Sequence, residues 1–448
     1  MRKLFLKLAL SIFGLLSAQN PDYSKSIDDV MHHLEQNNAF SGSVLLQKNG
    51  KTIYKGEFNK QGSHLDKYRI GSITEVFTAI IIFQLIEEGR LTLETTLDQY
   101  YPTIKNADKI TIAYLLGHMS GIYNYAEWEE YYTSKNRKFT KKEMLNLIGQ
   151  HKSDFKPGQD RSYSNANYLL LGYIIEDCTK KSYSENIAIR VVNRIGLQHT
   201  YCETEDKEYG KRNASYLYNG EKRLKEIDTH PSFTFSAGAI VSTTEDLSKL
   251  IEELLNGRLV SEKSLAQMKR TNQKGIGYGI LKTPIYDKVG YGHFGSIDEF
   301  QSFIGYFPSE GLSISVLSNA SNVKINDVVL SIASKYFDKP YQQADFTTYK
   351  SHTASLTKVY TGVYRATLIG FIDVGAFEIR EAANNYLFLN IYADGKEGQK
   401  ILLERKGVNK FYARKNNAEF DFIVNKKGEV TGMKVTQNKQ SMNCKKVM

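Results

Sequence analysis

A serine stands between a glycine and a long apolar run, in the stretch Gly71-Ser72-Ile73-Thr74-Glu75 that leads into residues 76–86. That is the pattern of a helix start, where backbone N–H groups are unpaired and the dipole favours negative charge. A serine oxygen there is placed to attack a carbonyl, and the oxyanion that forms can be held by the same N–H groups. The residues also spell a capping box, in which Ser72 bonds the N–H of residue 75 and Glu75 reaches back to the N–H of Ser72. The local pattern permits both readings.

The surrounding phrases add a resemblance. Residues 68–79, Gln84-Leu85-Ile86-Glu87-Glu88-Gly89-Arg90-Leu91, Ile110-Thr111-Ile112 and Leu115-Leu116-Gly117-His118-Met119-Ser120-Gly121-Ile122 closely resemble the serine β-lactamase and penicillin-binding-protein superfamily, in its class C and D-alanyl-D-alanine carboxypeptidase branch. The resemblance implies an α/β (α+β) fold with an antiparallel sheet flanked by helices, an inserted helical subdomain, an acyl-enzyme on Ser72 and no metal or organic cofactor. The family's second element, Tyr-x-Asn, is Tyr163-Ser164-Asn165 here, which makes Tyr163 the general acid/base and Asn165 an orienting group for substrate. Its third element is His293-Phe294-Gly295-Ser296. By resemblance His293 lines the site, Phe294 and Gly295 border the substrate, and the backbone N–H groups of Ser72 and Ser296 form the oxyanion hole. His118 takes a structural bond within the helical subdomain.

Three departures from the family pattern bear on chemistry. Phe294 stands where a hydroxyl or glycine is usual, and His293 carries less charge than lysine at neutral pH. Both weaken recognition of a substrate carboxylate. The third is Glu75, at the position of the family's lysine. A carboxylate beside Tyr163 raises the tyrosine's pKa instead of lowering it. Glu75 then either accepts the serine's proton itself or orients a neutral His293 that does so.

These residues need elements to hold them. Residues 26–36 have helical spacing of Ile27, Val30, Met31 and Leu34. Asn49-Gly50 between two alternating runs marks a type I′ hairpin. The run after Ser72 is apolar on nearly every side, as befits a helix buried mid-domain. Residues 90–230 read as helical and loop-rich, strand signals resume at 238–242, 300–307 and 312–317, and residues 323–336 read as a closing helix. Residues 339–354 read as a linker. Beyond it, alternating runs at 359–365, 386–392, 400–405, 411–414, 420–424 and 430–435 predict a small antiparallel barrel or sandwich, similar to the lipocalin-like accessory domain often found behind this hydrolase domain. No titratable cluster in it signals chemistry.

The expected organisation is a leader over 1–18, a hydrolase domain over 20–338, the linker over 339–354 and a β domain over 355–448. The leader carries Arg2, Lys3 and Lys7, then an apolar core and Ser17-Ala18, which implies a secreted or periplasmic protein. Its apolar run is too short to span a bilayer, and no later run is long enough. The formal net charge of +10 falls to +7 without the leader's three cations, and the remaining lysines are interleaved with acids. That excludes a basic stripe for nucleic acid. Cys178, Cys202 and Cys444 show no metal-ligand spacing, and a Cys178–Cys202 bridge or free thiols both fit. The reading is a serine hydrolase acting on a small-molecule or peptide substrate, amide or ester, with a cell-wall derivative among the candidates. The alternative is a catalytically impaired relative that binds cell-wall peptide or a protein partner in the same cleft.

Overall fold

The computed structural model describes residues 23–59, 65–128, 130–203, 212–270, 275–347, 357–368, 372–392 and 398–447. The expected leader at 1–18 lies outside these residues, as does the linker beyond residue 347. A helix, Tyr23–Gln36, leads into the hairpin Phe40–Lys48 and Lys51–Phe58. Asn49 and Gly50 have φ of 50° and 73°, the doubly left-handed turn that Asn-Gly supplies at least cost.

Six antiparallel strands make the main sheet, in the order Lys51–Phe58, Phe40–Lys48, Leu312–Ser321, Phe300–Phe307, Tyr291–Ile297 and Leu281–Lys282. Both faces are covered, and the strands alternate accordingly. Phe300, Ile304 and Tyr306 join the core around the helix Thr74–Glu87, whereas Phe303 and Phe307 join the core beneath Tyr23–Gln36 and Ile325–Tyr336. The Thr74–Glu87 helix is buried from Thr74 to Leu85, which explains why its sequence has no polar face. Between residues 90 and 240 the chain is mainly short helices and the long helix Asn165–Thr179. The three cysteines are free, so Cys178 and Cys202 are not joined.

The C-terminal strands, Gly362–Leu368 through Gln440–Lys446, form a closed eight-stranded barrel. Closure runs through Tyr364↔Lys446, Arg365↔Lys445 and Ala366↔Cys444. Its interior holds Tyr364, Leu403, Phe411, Phe420 and Met433. Two of its strands, Ile372–Glu381 and Gln440–Lys446, were not legible as alternation, and the choice between barrel and sandwich falls to the barrel.

Because each unit buries a core of its own, a chain ending at Asp338 is expected to remain soluble and to melt cooperatively. The contacts it loses include Ala383 N–H to Asn219 O at 2.9 Å, Asn384 Nδ2 to Gly220 O at 3.1 Å, Lys415 to Glu299 at 2.7 Å, His33 Nε2 to Ala344 O at 2.9 Å and the packing of Phe346 on the core beneath Tyr23–Gln36. Aggregation of that shortened chain where the full one is soluble would move the boundary elsewhere.

Candidate active site

Ser72 lies in a single 3-10 turn, Gly71–Ile73, that runs directly into Thr74–Glu87. Gly71 has φ of 52°, and a Cβ there would come within 2.7 Å of the backbone N of Ser296. A Cβ on Gly295 would lie 2.0 Å from Ile70 O, the carbonyl that accepts from Ser302 Oγ at 2.7 Å. Only residues without side chains let the turn and the strand Tyr291–Ile297 approach this closely. The approach brings the backbone of Ser72 and Ser296 together.

The capping box expected at Ser72 and Glu75 does not form. No side chain caps the 3-10 turn or the helix after it, and the Glu75 carboxylate turns inward, fully buried. Its Oε1 accepts the Tyr163 hydroxyl at 2.6 Å. The same hydroxyl is 2.8 Å from Ser72 Oγ. One phenolic proton cannot serve both, and the carboxylate is the stronger acceptor. Tyr163 therefore donates to Glu75 and accepts from the Ser72 hydroxyl. Although Tyr163 as a whole is 42% exposed, desolvation of its hydroxyl against Ser72 and Glu75, and then the Glu75 charge, push the tyrosine's pKa well above its ordinary value.

Two histidines flank the other oxygen. Glu75 Oε2 has no hydrogen-bond partner, with His118 Nε2 at 3.5 Å and His293 Nε2 at 3.7 Å. Their tautomers follow from what the other nitrogen does. His118 Nδ1 accepts the Ser164 N–H at 3.3 Å, so its proton is on Nε2 and faces the carboxylate. His293 Nδ1 lies 2.6 Å from Phe294 O and donates to it, so the neutral ring turns a lone pair to Glu75. Burial holds the His293 pKa below its usual value, although Glu75 and the Phe294 carbonyl pull the other way. His118 makes the bonds expected of it within the helical subdomain, to the Ser164 N–H and to Asn167 Nδ2 at 3.2 Å, and its ring also lies 4.5 Å from that of Tyr163.

Ser72, Tyr163 and His293 open on a cavity of about 530 Å³, with Leu281, Phe294 and Ile325 as its apolar lining. Gly295 and Ser296 line it too. Asn165 lies apart from Tyr163's network: its Nδ2 donates to Asn124 Oδ1 at 3.1 Å, and it lines a second cavity of about 80 Å³ together with Ser72 and Ser296. The site residues read from the sequence are therefore grouped around Ser72. Missed were Lys324, Gln399, Lys415 and Asn416, which also line the larger cavity; the last three come from the barrel, where nothing in the pattern signals a site. Among the described residues no group of three or more His, Cys, Asp or Glu is arranged to hold a metal ion.

Also missed is a buried ion network just ahead of the serine. Arg69, fully buried, pairs with Glu203 at 3.0 Å and Asp298 at 2.9 Å. Asp298 also takes Lys135 at 2.8 Å and the Thr229 hydroxyl at 2.7 Å, and Arg212 takes Glu203. Burial opposes the charge on Asp298, but Arg69 and Lys135 outweigh it and hold the carboxyl below the usual range. Asp298 sits in the turn after Tyr291–Ile297, so the network ties the segment before Ser72 to the end of the strand carrying Ser296.

A serine opening a buried central helix, beside the edge region of an antiparallel sheet and hydrogen-bonded to a tyrosine from the helical part of the chain, fits the serine β-lactamase and penicillin-binding superfamily. The beta-lactamase family model matches residues 27–328, and the chain belongs to that family. Among curated relatives, protein flp of Staphylococcus aureus is 28% identical over 329 residues, covering 69% of this chain and 65% of its own length. The chain thus spans about two thirds of the length of that relative. A teichoic acid D-alanine hydrolase of the same organism is 28% identical over 343 residues, covering 72% of this chain and 81% of its own. The solved octameric penicillin-binding protein homologue from Pyrococcus abyssi has a TM-score of 0.63 at 22% identity, over 95% of this chain and all of that one. No helix among the described residues is long and apolar enough to cross a membrane.

Proposed function

We propose that the protein is an exported serine hydrolase of the class C and D-alanyl-D-alanine carboxypeptidase branch, with Glu75 at the place of the family's lysine and a lipocalin-like barrel behind. It acts on an amide or ester of a small molecule or peptide through a Ser72 acyl-enzyme. One observation carries this reading: the Tyr163 hydroxyl bridges Ser72 Oγ, at 2.8 Å, and Glu75 Oε1, at 2.6 Å.

The bridge works as a relay. As Ser72 Oγ bonds the carbonyl carbon, its proton passes to Tyr163 and the tyrosine's own proton passes to Glu75, so the phenol is neutral before and after. The carbonyl oxygen takes the negative charge and rests against the N–H groups of Ser72 and Ser296. Collapse returns the proton from Glu75 through Tyr163 to the leaving group. Water then attacks the acyl-enzyme by the same path. His118 donates toward Glu75 and steadies the anion, while neutral His293 leaves that anion free of a cationic partner and so able to take the proton.

The carboxylate at the centre disfavours a substrate carboxylate beside the scissile bond; of the two lysines lining the cavity, Lys415 is matched by Glu299, which leaves Lys324 to meet an anion. The smaller cavity beside Ser72, about 80 Å³, has room for a small side chain. With the name of the relative that hydrolyses teichoic acid D-alanine, this favours an alanyl-type ester or amide of the cell envelope.

The test is mass spectrometry of the protein after exposure to a fluorophosphonate, a penicillin and an activated neutral ester. Ser72 is expected to carry the adduct, and faster from the neutral ester than from the penicillin. Labelling of Ser72→Ala at the wild-type rate would remove Ser72 as nucleophile. No adduct from any of the three would favour the binding protein.

A further inference from the structure

We propose that the site takes esters or amides whose leaving group carries an apolar arm, and that a separate apolar cavity beside Phe294 receives that arm. The inference rests on the serine-hydrolase reading for where the bond is cut, but not for whether the cavity binds.

Two cavities flank Ser72, and Tyr163 lines only the larger of them. The group that takes its proton from Tyr163 on leaving therefore departs into the larger cavity, and a small acyl part is left to the smaller. Next to the larger cavity lies a third, of about 270 Å³, which Ser72 does not reach. Leu281, Phe294 and Asn326 line both the larger cavity and this third one, so the two adjoin at those side chains.

The pleat of the strand Tyr291–Ile297 explains why the third cavity is apolar. His293 and Phe294 are consecutive and point to opposite faces. His293 stands opposite Ile304, in the core around Thr74–Glu87, and Phe294 opposite Phe303, in the core beneath Ile325–Tyr336. The Phe294 and Phe303 rings lie 4.8 Å apart. The outer strand Leu281–Lys282 pairs only with Gly292 and Tyr291, so among the described residues no strand covers the edge at Phe294. There the core under the closing helix comes to the surface. Buried Ile285, Phe303 and Val329 form the floor of the cavity, while Leu281 and Phe294 are only half-buried and offer apolar surface to a ligand. Phe294, where the family pattern has a hydroxyl or glycine, is thus an apolar step between the place where the bond is cut and a place that favours hydrocarbon over water. Of the esters and amides that the hydrolase reading allows, this selects those of a small acyl group with an apolar alcohol or amine.

Binding is measured apart from turnover, on the full chain bearing Ser72→Ala, by calorimetry. The ligands are acetanilide, 4-butylacetanilide and hexananilide, the last with the same four extra carbons on its acyl side. A buried methylene is worth about fourfold, so the butyl form is expected to bind roughly 10²-fold tighter than acetanilide, and hexananilide less than about tenfold tighter. Adding Val329→Phe, which fills the floor, is expected to cut the butyl gain to about threefold or less, since the room for the chain is gone. If that variant melts early, Ile276→Trp, on a half-buried wall of the same cavity, decides in its place. Equal affinity for acetanilide and its butyl form overturns the proposal, as does an equal gain for hexananilide, a butyl gain that survives the filled cavity, or no binding of any of the three. Turnover is read on the wild type with phenyl acetate and 4-butylphenyl acetate, whose leaving phenols are nearly equally acidic. A higher kcat/KM for the butyl ester supports the proposal. Hydrolysis of neither counts against the hydrolase reading only, and the binding results still decide this one.

Discussion

Glu75→Gln is expected to lower ester turnover by about 10²- to 10⁴-fold, the usual worth of a general base. Glutamine keeps the shape and can still accept the Tyr163 hydroxyl, but it cannot take the proton. Tyr163→Phe breaks the same relay, so the double variant should be little worse than either single one. Glu75→Lys restores the family residue, yet here it puts an ammonium against the His118 Nε2–H and should leave turnover below wild type. A rise in turnover with Glu75→Lys would show that the site still runs on lysine chemistry and would sink the relay. The pH profile is a second check. Tyr163 stays protonated well above its ordinary value of about 10, so the wild-type rate should show no alkaline loss up to about pH 10. On the acid side the rate should fall as His293 gains a proton and pairs with the base. The fold weakens over the same range: His293's folded pKa lies below its unfolded value of about 6.5. The unfolded chain therefore binds the proton first, and stability is lost as pH drops from about 6.5 through the folded value.

Arg69→Met should destabilise the first unit by about 3–5 kcal/mol, because it leaves Glu203 and Asp298 buried with fewer cations. At an unfolding entropy of about 2.1 cal/mol/K per residue over roughly 300 residues, that is a fall in melting temperature of about 5–8 °C. Combined with Asp298→Asn the loss should be less than additive, since each change removes part of what the other disturbs. A shift under about 2 °C for Arg69→Met would mean that Lys135 and Arg212 suffice to neutralise the pair. Asp298 gives the network its pH dependence. Its folded pKa is depressed, so its contribution is present above about pH 4 and lost as pH falls through the folded value.

The fold around Ser72 was legible because its signals are local: an Asn-Gly turn, a helix apolar on all sides, and motifs that keep their order. What stayed hidden depends on partners far away in sequence. The capping-box reading of Glu75 failed because three distant side chains, from residues 118, 163 and 293, draw its carboxylate inward, and no local pattern reports them. The strand Gln440–Lys446 reads Gln-Ser-Met-Asn-Cys-Lys-Lys, with little apolar alternation of its own. It is a strand because both neighbours in a closing barrel present their hydrogen bonds to it. In Ile372–Glu381, Gly375 interrupts the alternation. The barrel's share of the cavity had no signal at all, since Gln399, Lys415 and Asn416 line it only through where the barrel is docked.

The pairing of Phe40–Lys48 with Leu312–Ser321, from Phe40↔Ser321 to Lys48↔Leu312 with one register shift between Ser41 and Gly42, sets a clock on how the molecule is made. The first strand leaves the ribosome long before its neighbour exists, by roughly 15–55 s at synthesis rates of about 5–20 residues per second. For that interval Val44, Leu45 and Leu46, all buried in the finished sheet, have only one hairpin partner. Contacts this far apart in sequence form slowly, and an unpaired apolar edge invites the wrong neighbour. Substitutions that make residues 40–48 more apolar should therefore be felt as lower yield during synthesis, with the melting temperature of the molecules that do fold left unchanged.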